Sequence, residues 1–389
     1  MKAYNETWVQ NKRIQEYAAR WQRQGLLDEA QMTGIRAKFP VGFRDSNGFI
    51  EVGLFVFSIV AVSGSYFLFV SLLNNVLDYA AFFDVFNIGF GLLVGLLTHY
   101  LITTRHYYRS GIDNALVIAT VALLVTGFTG LLPDGRPTWQ YGLFILPLIL
   151  AGVWYYSDLL LTMAAFATLT TILFDGLLDV SFGKQVLAFV LMAVSAGLYG
   201  TARLYENRDN LLYWRDNFIL LEWLSLSLLV ISCNYFTNRQ LTYWLMDYRP
   251  AEAPEIPWAG FFWVLTFSVP VALVYLGIRQ KERPLLIMGA LGWGLALATW
   301  RYYHPLFPLE FYLIIHGLFL LLGAILLIQF LRVSRNGFTD RPDEDSPKEL
   351  LLQAETLSTI QATTGQLGPK DGMRFGGGDF GGGGSEDRY

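Results

Sequence analysis

The chain of 389 residues is 53% hydrophobic, 16% aromatic and only 15% charged, and its mean hydropathy is positive, a balance typical of membrane proteins. Its formal net charge of −4 gives no reason to expect a nucleic-acid partner. Cys233 is the only cysteine, which excludes an intramolecular disulfide and a thiolate metal site.

Residues 1–48 predict a small cytoplasmic module of two helices. Apolar residues of the first helix recur at helical spacing: Ile14, Tyr17, Ala18 and Trp21. Gly25 ends this helix. Asp28 and Gln31 have the spacing of a capping box that begins the second helix, and Pro40 closes it. The pair either docks as a helical hairpin on the loops or on a partner, or lies on the membrane surface. The lack of a broad apolar face favours the docked hairpin.

The module also carries a resemblance to a known group of proteins. Trp8 and Trp21 on the first helix are followed by residues 25–31 (GLLDEAQ), by residues 36–40 (RAKFP) and then by a long train of apolar spans. In this order of features the chain resembles uncharacterised bacterial multi-pass predicted membrane proteins of the domain-of-unknown-function type. The resemblance is specific for the N-terminal module and architectural for the rest. It implies the fold class, and it implies no substrate, reaction or site residue.

Residues 49–331 predict an all-α, polytopic transmembrane helix bundle of about ten spans. The spans are 50–72, 82–102, 114–132, 141–156, 159–177, 185–204, 218–235, 258–278, 285–300 and 309–331. The fourth and ninth fall at or below the lower limit of about 17 residues, so they must borrow flanking residues. Pairs of small residues four positions apart favour close helix packing within one bundle over packing between copies: Gly91 with Gly95, Ala196 with Gly200, and Gly292 with Ala296. The oligomeric state stays open.

The distribution of basic residues predicts the orientation. With the N-terminus in the cytoplasm, roughly 23 of the 28 Lys and Arg residues fall on the inside, as the positive-inside rule requires. Because an odd number of spans would move every later loop across the membrane, ten spans fit the pattern. We therefore expect a multi-pass protein of the cell inner membrane with both termini cytoplasmic and no cleavable signal peptide. The largest outer loop, 236–257, is expected to line a vestibule or to lie along the headgroups.

Residues 332–389 predict a cytoplasmic tail. A weak apolar pattern indicates a helix near residues 347–360. After residue 365 the composition changes to glycine with a few aromatic residues, which predicts disorder because little surface can be buried there. A passive flexible end is favoured over a sticky interaction segment.

Ionisable residues within the spans are the candidates for function, because a charge at mid-bilayer costs at least about 2.5 to 3.5 kcal/mol. Glu222 lies inside the seventh span, and Ser225 and Ser232 continue its helix face. His316 lies inside the tenth span. These four residues are the candidate proton or solute path. The secondary candidates lie near the mouths of spans and are Glu51, Asp84, Arg301 and Glu310.

Two interpretations of Glu222 and His316 remain open. In the functional one, both are protonatable groups on a solute or proton path. In the structural one, Glu222 pairs with a cytoplasmic arginine (Arg203, Arg208 or Arg215) and His316 forms a hydrogen bond with helix backbone. Their distance from the bilayer centre favours the structural interpretation.

Enzyme motifs are missing from the sequence. There is no zinc-binding helix motif and no nucleophile elbow, and His99 and His106 have no carboxylate at ligand spacing. The sequence therefore predicts no catalytic residue, no cofactor and no metal site. The leading hypothesis is a non-enzymatic membrane scaffold, sensor or modulator whose partners are the lipid bilayer and a protein at the N-terminal module or C-terminal tail. The alternatives are a transporter of a small solute or ion and, less favoured, an enzyme acting on lipid or lipid-linked sugar.

Overall fold

The computed structural model of the protein describes residues 2–44, 48–73, 80–206, 208–246, 255–305 and 308–332. The described residues form thirteen α-helices and one 3-10 helix, and none of them is in a strand. The chain divides into two compact units, residues 1–306 and 307–389. The predicted helix near 347–360 and the predicted disorder after 365 lie outside the described residues.

The helices follow one another closely along the chain. In order they are α1 (Glu6–Arg23), α2 (Glu29–Lys38), α3 (Gly48–Leu72), α4 (Ala80–Arg105), α5 (Ile112–Gly130), α6 (Thr138–Tyr156), α7 (Leu159–Leu178), α8 (Gly183–Glu206), a 3-10 helix (Asp209–Trp214), α9 (Arg215–Cys233), α10 (Tyr235–Met246), α11 (Ala259–Gln280), α12 (Arg283–Tyr303) and α13 (Leu309–Leu331). The second unit is represented in the described chain by α13, and the first unit contains all the others.

The prediction of an all-α polytopic bundle is confirmed. Nine helices within the described residues are long and apolar enough to cross a bilayer, namely α3 to α9, α11 and α13. Each predicted span corresponds to a helix, and the two short ones do gain flanking residues, since α6 begins at Thr138 and α12 runs from Arg283 to Tyr303. The helix of the ninth predicted span, α12, is long enough at 21 residues but is not among the nine helices that are also apolar enough.

Small residues bring α12 close to its neighbour α11. A Cβ added at Gly289 would lie 2.7 Å from Val274, and one added at Gly292 would lie 3.1 Å from Pro270, so α12 packs directly against α11. The pair Gly91 and Gly95 likewise brings α4 close to α5, with Leu123 and Thr120 at 3.0 Å from the added Cβ atoms. The pairs on α4 and α12 thus pack within the bundle as predicted. The pair of Ala196 and Gly200 on α8 does not, because the space around Gly200 is open.

The N-terminal module has the caps that its sequence predicts. The side chain of Asn5 accepts hydrogen bonds from Thr7 and Trp8 at the start of α1, and Gly25 adopts a φ of +73° beyond its end. Asp28 and Gln31 form the capping box of α2. We call α1 and α2 with their flanking residues 2–44 the hairpin.

Most of the apolar stripe of α1 stays exposed. Ile14, Tyr17 and Trp21 are exposed, and Ala18 is the only member of the stripe that is buried. The other buried residues of α1 are Val9 and Asn11. The physical reason is that the hairpin is closed by polar contacts, in which Asn11 and Gln15 donate to the carbonyls of Pro40 and Phe39.

The predicted outer loop 236–257 is also wrong in part, because Tyr235–Met246 forms α10. Asn234 initiates this helix: its side chain accepts a hydrogen bond from the Thr237 amide and donates one to Thr299. Residues 247–254 lie outside the described chain.

The hairpin shares one end of the bundle with alternate loops, and we call this the hairpin end. Tyr4 contacts Asp113 at the start of α5, and Asn114 contacts Asp158 between α6 and α7. Ser157 donates to the 3-10 helix before α9. Arg203 at the end of α8 pairs with Glu282 in the turn between α11 and α12. Every second connection between the predicted spans of the first unit therefore meets at the same end.

Candidate functional site

The structure buries the whole stripe predicted on the seventh span. Glu222 is only 2% exposed, and Ser225 and Ser232 are equally enclosed. The two hydroxyl groups donate to carbonyls of their own helix, Ser225 to Leu221 at 2.6 Å and Ser232 to Leu229 at 3.1 Å. Their hydrogen-bonding needs are thus met inside α9.

Glu222 belongs to a cluster of charges around one guanidinium, which we call the Arg203 cluster. Nη1 of Arg203 lies 2.9 Å from Glu206 and 3.3 Å from Glu222, and its Nη2 pairs with Glu282. Arg215 approaches Glu206 at 3.8 Å. Three carboxylates and two guanidinium groups therefore meet where α8, α9 and the turn before α12 come together.

The cluster has a clear structural consequence. A carboxylate as deeply enclosed as Glu222 is tolerated in a protein interior only when it is paired and hydrogen-bonded. Arg203 supplies that pairing and at the same time joins three elements that are far apart in the sequence. The structural interpretation offered three arginines as partners of Glu222, namely Arg203, Arg208 and Arg215. Arg203 is the one that pairs with it.

His316 lies in the second unit, on α13. Its Nδ1 is 2.7 Å from the carbonyl oxygen of Tyr312, and the two rings are stacked. Since a carbonyl only accepts, Nδ1 carries the proton in this contact. Glu310 lies in the first turn of the same helix.

The remaining candidates lie at helix ends of the first unit. Glu51 is in the first turn of α3, where its backbone carbonyl faces Gly111. Arg301 is in the last turn of α12. Asp84 was expected to reach water at the mouth of its span, and the structure corrects this: it is only 9% exposed because α5 approaches it closely through Gly130.

A second set of polar residues, which the sequence did not single out, fixes the hairpin. The Tyr4 hydroxyl donates to a carboxylate oxygen of Asp113 at 2.7 Å, and both residues are buried. Asp113 also accepts from the amides of Arg109 and Ser110 and from the Ser110 hydroxyl. Burial and the adjacent Asp113 carboxylate raise the pKa of Tyr4 well above its ordinary value, so Tyr4 remains a neutral donor.

Asp158 plays a similar part between α6 and α7. It caps α7 by accepting from the Leu161 amide at 3.0 Å, and it accepts from the side chain of Asn114 at 2.7 Å. Burial raises its pKa, although these two hydrogen bonds oppose the shift. Asn217 at the start of α9 completes the network through Ser157 at 2.5 Å. Three helices are thereby joined beneath the hairpin.

Ion pairs surround this network. Asp216 lies between two guanidinium groups, 3.1 Å from Arg13 of the hairpin and 2.6 Å from Arg109 before α5. The ammonium of Lys2 lies 4.3 Å from the ring centre of Trp214. A cavity of about 290 Å³ remains between the hairpin and the loops, and its wall includes both Tyr4 and Asp158.

The histidines near the hairpin end have aromatic neighbours. Nδ1 of His99 lies 3.0 Å from the Tyr155 hydroxyl, and the ring of His106 packs edge-on against Trp8 at 5.0 Å. Across the described ranges, no group of three or more His, Cys, Asp or Glu side chains is arranged to hold a metal ion.

The nine long apolar helices define a multi-pass membrane protein. Large apolar side chains such as Phe57 and Leu96, each 71% exposed, face outward from these helices, as a lipid environment allows. In comparisons with known proteins the chain matches no protein-family model, no curated protein and no solved structure. The assignment to the class of multi-pass membrane proteins therefore rests on the fold alone.

The sequence did carry a signal for the residues that were missed. Asp113 and Asp158 each stand directly before an apolar segment, which is where a helix N-cap or first-turn carboxylate is expected. The position of Asp113 before an apolar segment does not identify its hydrogen-bond partner, because Tyr4 lies 109 residues away in the sequence.

Proposed function

We propose that this protein is a non-enzymatic modulator of a process in the bacterial inner membrane, with both termini in the cytoplasm, and that the docked hairpin is its sensing element. The observation that carries the proposal is the attachment of the hairpin to the ends of three separate helices, α5, α6 and α9. Ala3 donates to the Tyr155 carbonyl, Tyr4 to Asp113, and Arg13 pairs with Asp216. The N-terminal resemblance to bacterial multi-pass membrane proteins supports the class and supplies no activity.

The charge distribution supports the orientation. The loops that meet the hairpin are the ones rich in basic residues, and roughly 23 of the 28 Lys and Arg residues fall on this side or on the two termini. Positive charge of this kind is retained on the cytoplasmic side during insertion.

The type of contact supports the sensing role. The hairpin is held by hydrogen bonds and ion pairs together with an apolar cluster in which Ala3, Tyr4 and Val9 pack against bundle residues such as Trp214. An interface with this polar share opens more readily than a wholly apolar one. Trp21 and Leu26, which are 50% and 68% exposed, leave an apolar surface near the hairpin turn for a protein partner. Opening or closing the hairpin would present this surface differently.

The test combines topology with complementation. Reporter fusions at the N-terminus and after Tyr389 should report the cytoplasm, and fusions after Gly135 and Ser181 the opposite side. In a deletion strain, Arg13→Gln with Asp216→Asn should release the hairpin and fail to complement, while Arg36→Gln on exposed α2 should complement fully. Hydrogen exchange of residues 2–24 verifies the release. Full complementation by a variant whose hairpin is shown to be released would disprove the sensing role, and reversed fusions would disprove the orientation.

A second candidate function is transport of a small solute or ion, for which Glu222 is the candidate group because it is an acidic side chain buried within the apolar helix α9. The full chain is reconstituted in proteoliposomes with a trapped pH indicator. Glu222→Gln should abolish proton or solute flux if the carboxylate is on the path, and Glu16→Gln on the exposed side of α1 is the matched control. If both variants and the wild type show the same flux, Glu222 does not lie on a transport path.

A further inference from the structure

A second cavity lies at the hairpin end, between α1 and the start of α9. Its volume is about 240 Å³, which is room for a small anion with some water. The lining residues are Arg13, Glu16, Tyr17, Arg20, Arg215, Asp216 and Ile219. One wall therefore belongs to the hairpin and the other to the transmembrane bundle.

Positive charge predominates in this cavity. Three arginines face two carboxylates, and the Asp216 carboxylate is shared, since it also pairs with Arg109 at 2.6 Å. Arg215 makes a hydrogen bond to the Tyr17 hydroxyl at 2.8 Å, and its nearest carboxylate contact, to Glu206, is long at 3.8 Å. The lining thus retains a positive charge that its own acidic residues do not neutralise.

Two of the guanidinium nitrogens are unsatisfied. Nη1 of Arg13 and Nε of Arg215 are buried and have no hydrogen-bond partner among the described residues. A buried N–H group without an acceptor costs about 1 to 3 kcal/mol, and more when it is charged. Such groups are rare unless water, a ligand or an ion supplies the acceptor. Arg13 and Arg215 line the same cavity, one from each wall.

We propose that this cavity binds a phosphate group that bridges Arg13 of the hairpin and Arg215 of the bundle. A phosphate presents several acceptor oxygens, and the planar fork of arginine suits it. The Tyr17 hydroxyl adds a further polar group at the wall. The inference rests on the hairpin being the sensing element, and it names what is sensed: a phosphate group that locks the hairpin closed. Its source is either an anionic phospholipid headgroup of the adjacent leaflet or a soluble phosphate compound.

The experiment uses the full chain and measures hydrogen exchange of residues 2–24. One arm adds inorganic phosphate to protein in detergent, against chloride at equal ionic strength. The other arm compares nanodiscs of a phosphate-free galactolipid with nanodiscs that also contain phosphatidate. The substitutions Arg13→Lys and Arg215→Lys keep the positive charge, and the hairpin therefore stays docked. They remove the planar guanidinium group that suits a phosphate. Arg36→Lys on α2 is the matched control.

Slower exchange on adding phosphate, with about tenfold weaker affinity in each of the two lysine variants and no change in Arg36→Lys, would support a soluble phosphate compound. Slower exchange in the phosphatidate nanodiscs alone, with the same variant pattern, would support a lipid headgroup. If the hairpin is protected from hydrogen exchange but neither inorganic phosphate nor phosphatidate changes its exchange rate, the phosphate site is overturned and the proposed function stands. A hairpin that exchanges freely under all conditions would overturn both.

Discussion

Replacing Tyr4 with phenylalanine should loosen the hairpin by a defined amount. The substitution removes one hydrogen bond of 2.7 Å to Asp113 and keeps the ring, which packs edge-on against Tyr108. Both partners are buried, and hydrogen bonds to charged groups contribute about 1.5 to 3 kcal/mol.

The structure places the cost at the lower end of this range. Asp113 retains three other donors, the amides of Arg109 and Ser110 and the Ser110 hydroxyl, so the carboxylate is not left unsatisfied. We therefore expect Tyr4→Phe to destabilise the docked hairpin by about 1.5 kcal/mol, which is about a tenfold larger open fraction.

Hydrogen exchange of residues 2–24 in the purified protein measures this open fraction. Exchange in Tyr4→Phe should be about ten times faster than in the wild type, and exchange in α5 and α9 should be unchanged. Tyr100→Phe is the control, because Tyr100 is 54% exposed on α4. If both variants exchange at the wild-type rate, the contact between Tyr4 and Asp113 does not hold the hairpin, and the reasoning fails.

Two further predictions concern the loops beneath the hairpin. Gly111→Ala should destabilise the bundle by about 3 kcal/mol in a thermal or denaturant unfolding assay, because Gly111 has a φ of +85° and its added Cβ would lie 2.0 Å from the Glu51 carbonyl oxygen. Gly64→Ala on α3, where space is open, should be neutral or slightly stabilising, and equal effects of the two substitutions would contradict the packing. Asp158→Asn retains a capping side chain, and since burial raises the pKa of Asp158 in the folded state, the charged carboxylate lowers stability at neutral pH relative to its protonated form. Relative to the asparagine variant, the wild type should therefore gain stability as the pH falls from 7 towards the ordinary carboxyl pKa; a stability difference that is independent of pH would rule this out.

The spans and the capping box of α2 could be predicted because their signals are local. A run of apolar residues identifies a helix such as α3, and Asp28 with Gln31 identifies the start of α2 regardless of what surrounds them. Long-range partners leave no such signal. Arg203 could be named as one of three arginines near Glu222, but its pairing with Glu282 depends on how α11 and α12 return to the hairpin end.

The exposed stripe of α1 shows a different limit. Ile14 and Trp21 have the spacing of a buried face, yet they stay exposed. The helix α1 instead packs through Val9 and through polar contacts of Asn11, Arg13 and Gln15. Periodicity predicts burial by apolar contact, and it does not detect an interface made by polar groups. The helix α10 was missed for a related reason, because its aromatic residues suggested a loop along the membrane surface while the Asn234 cap that starts it is a single residue.

The ion pair between Arg13 and Asp216 also has a consequence for biosynthesis. Its two residues are separated by 203 positions, so the N-terminal segment leaves the ribosome long before its anchor exists. At a translation rate of about 5 to 20 residues per second, the interval is roughly 10 to 40 seconds. During this time Trp8 and Val9 have no finished surface to pack on. The apolar side chains of the newly made segment therefore lack their final packing partners until the seventh predicted span has been made.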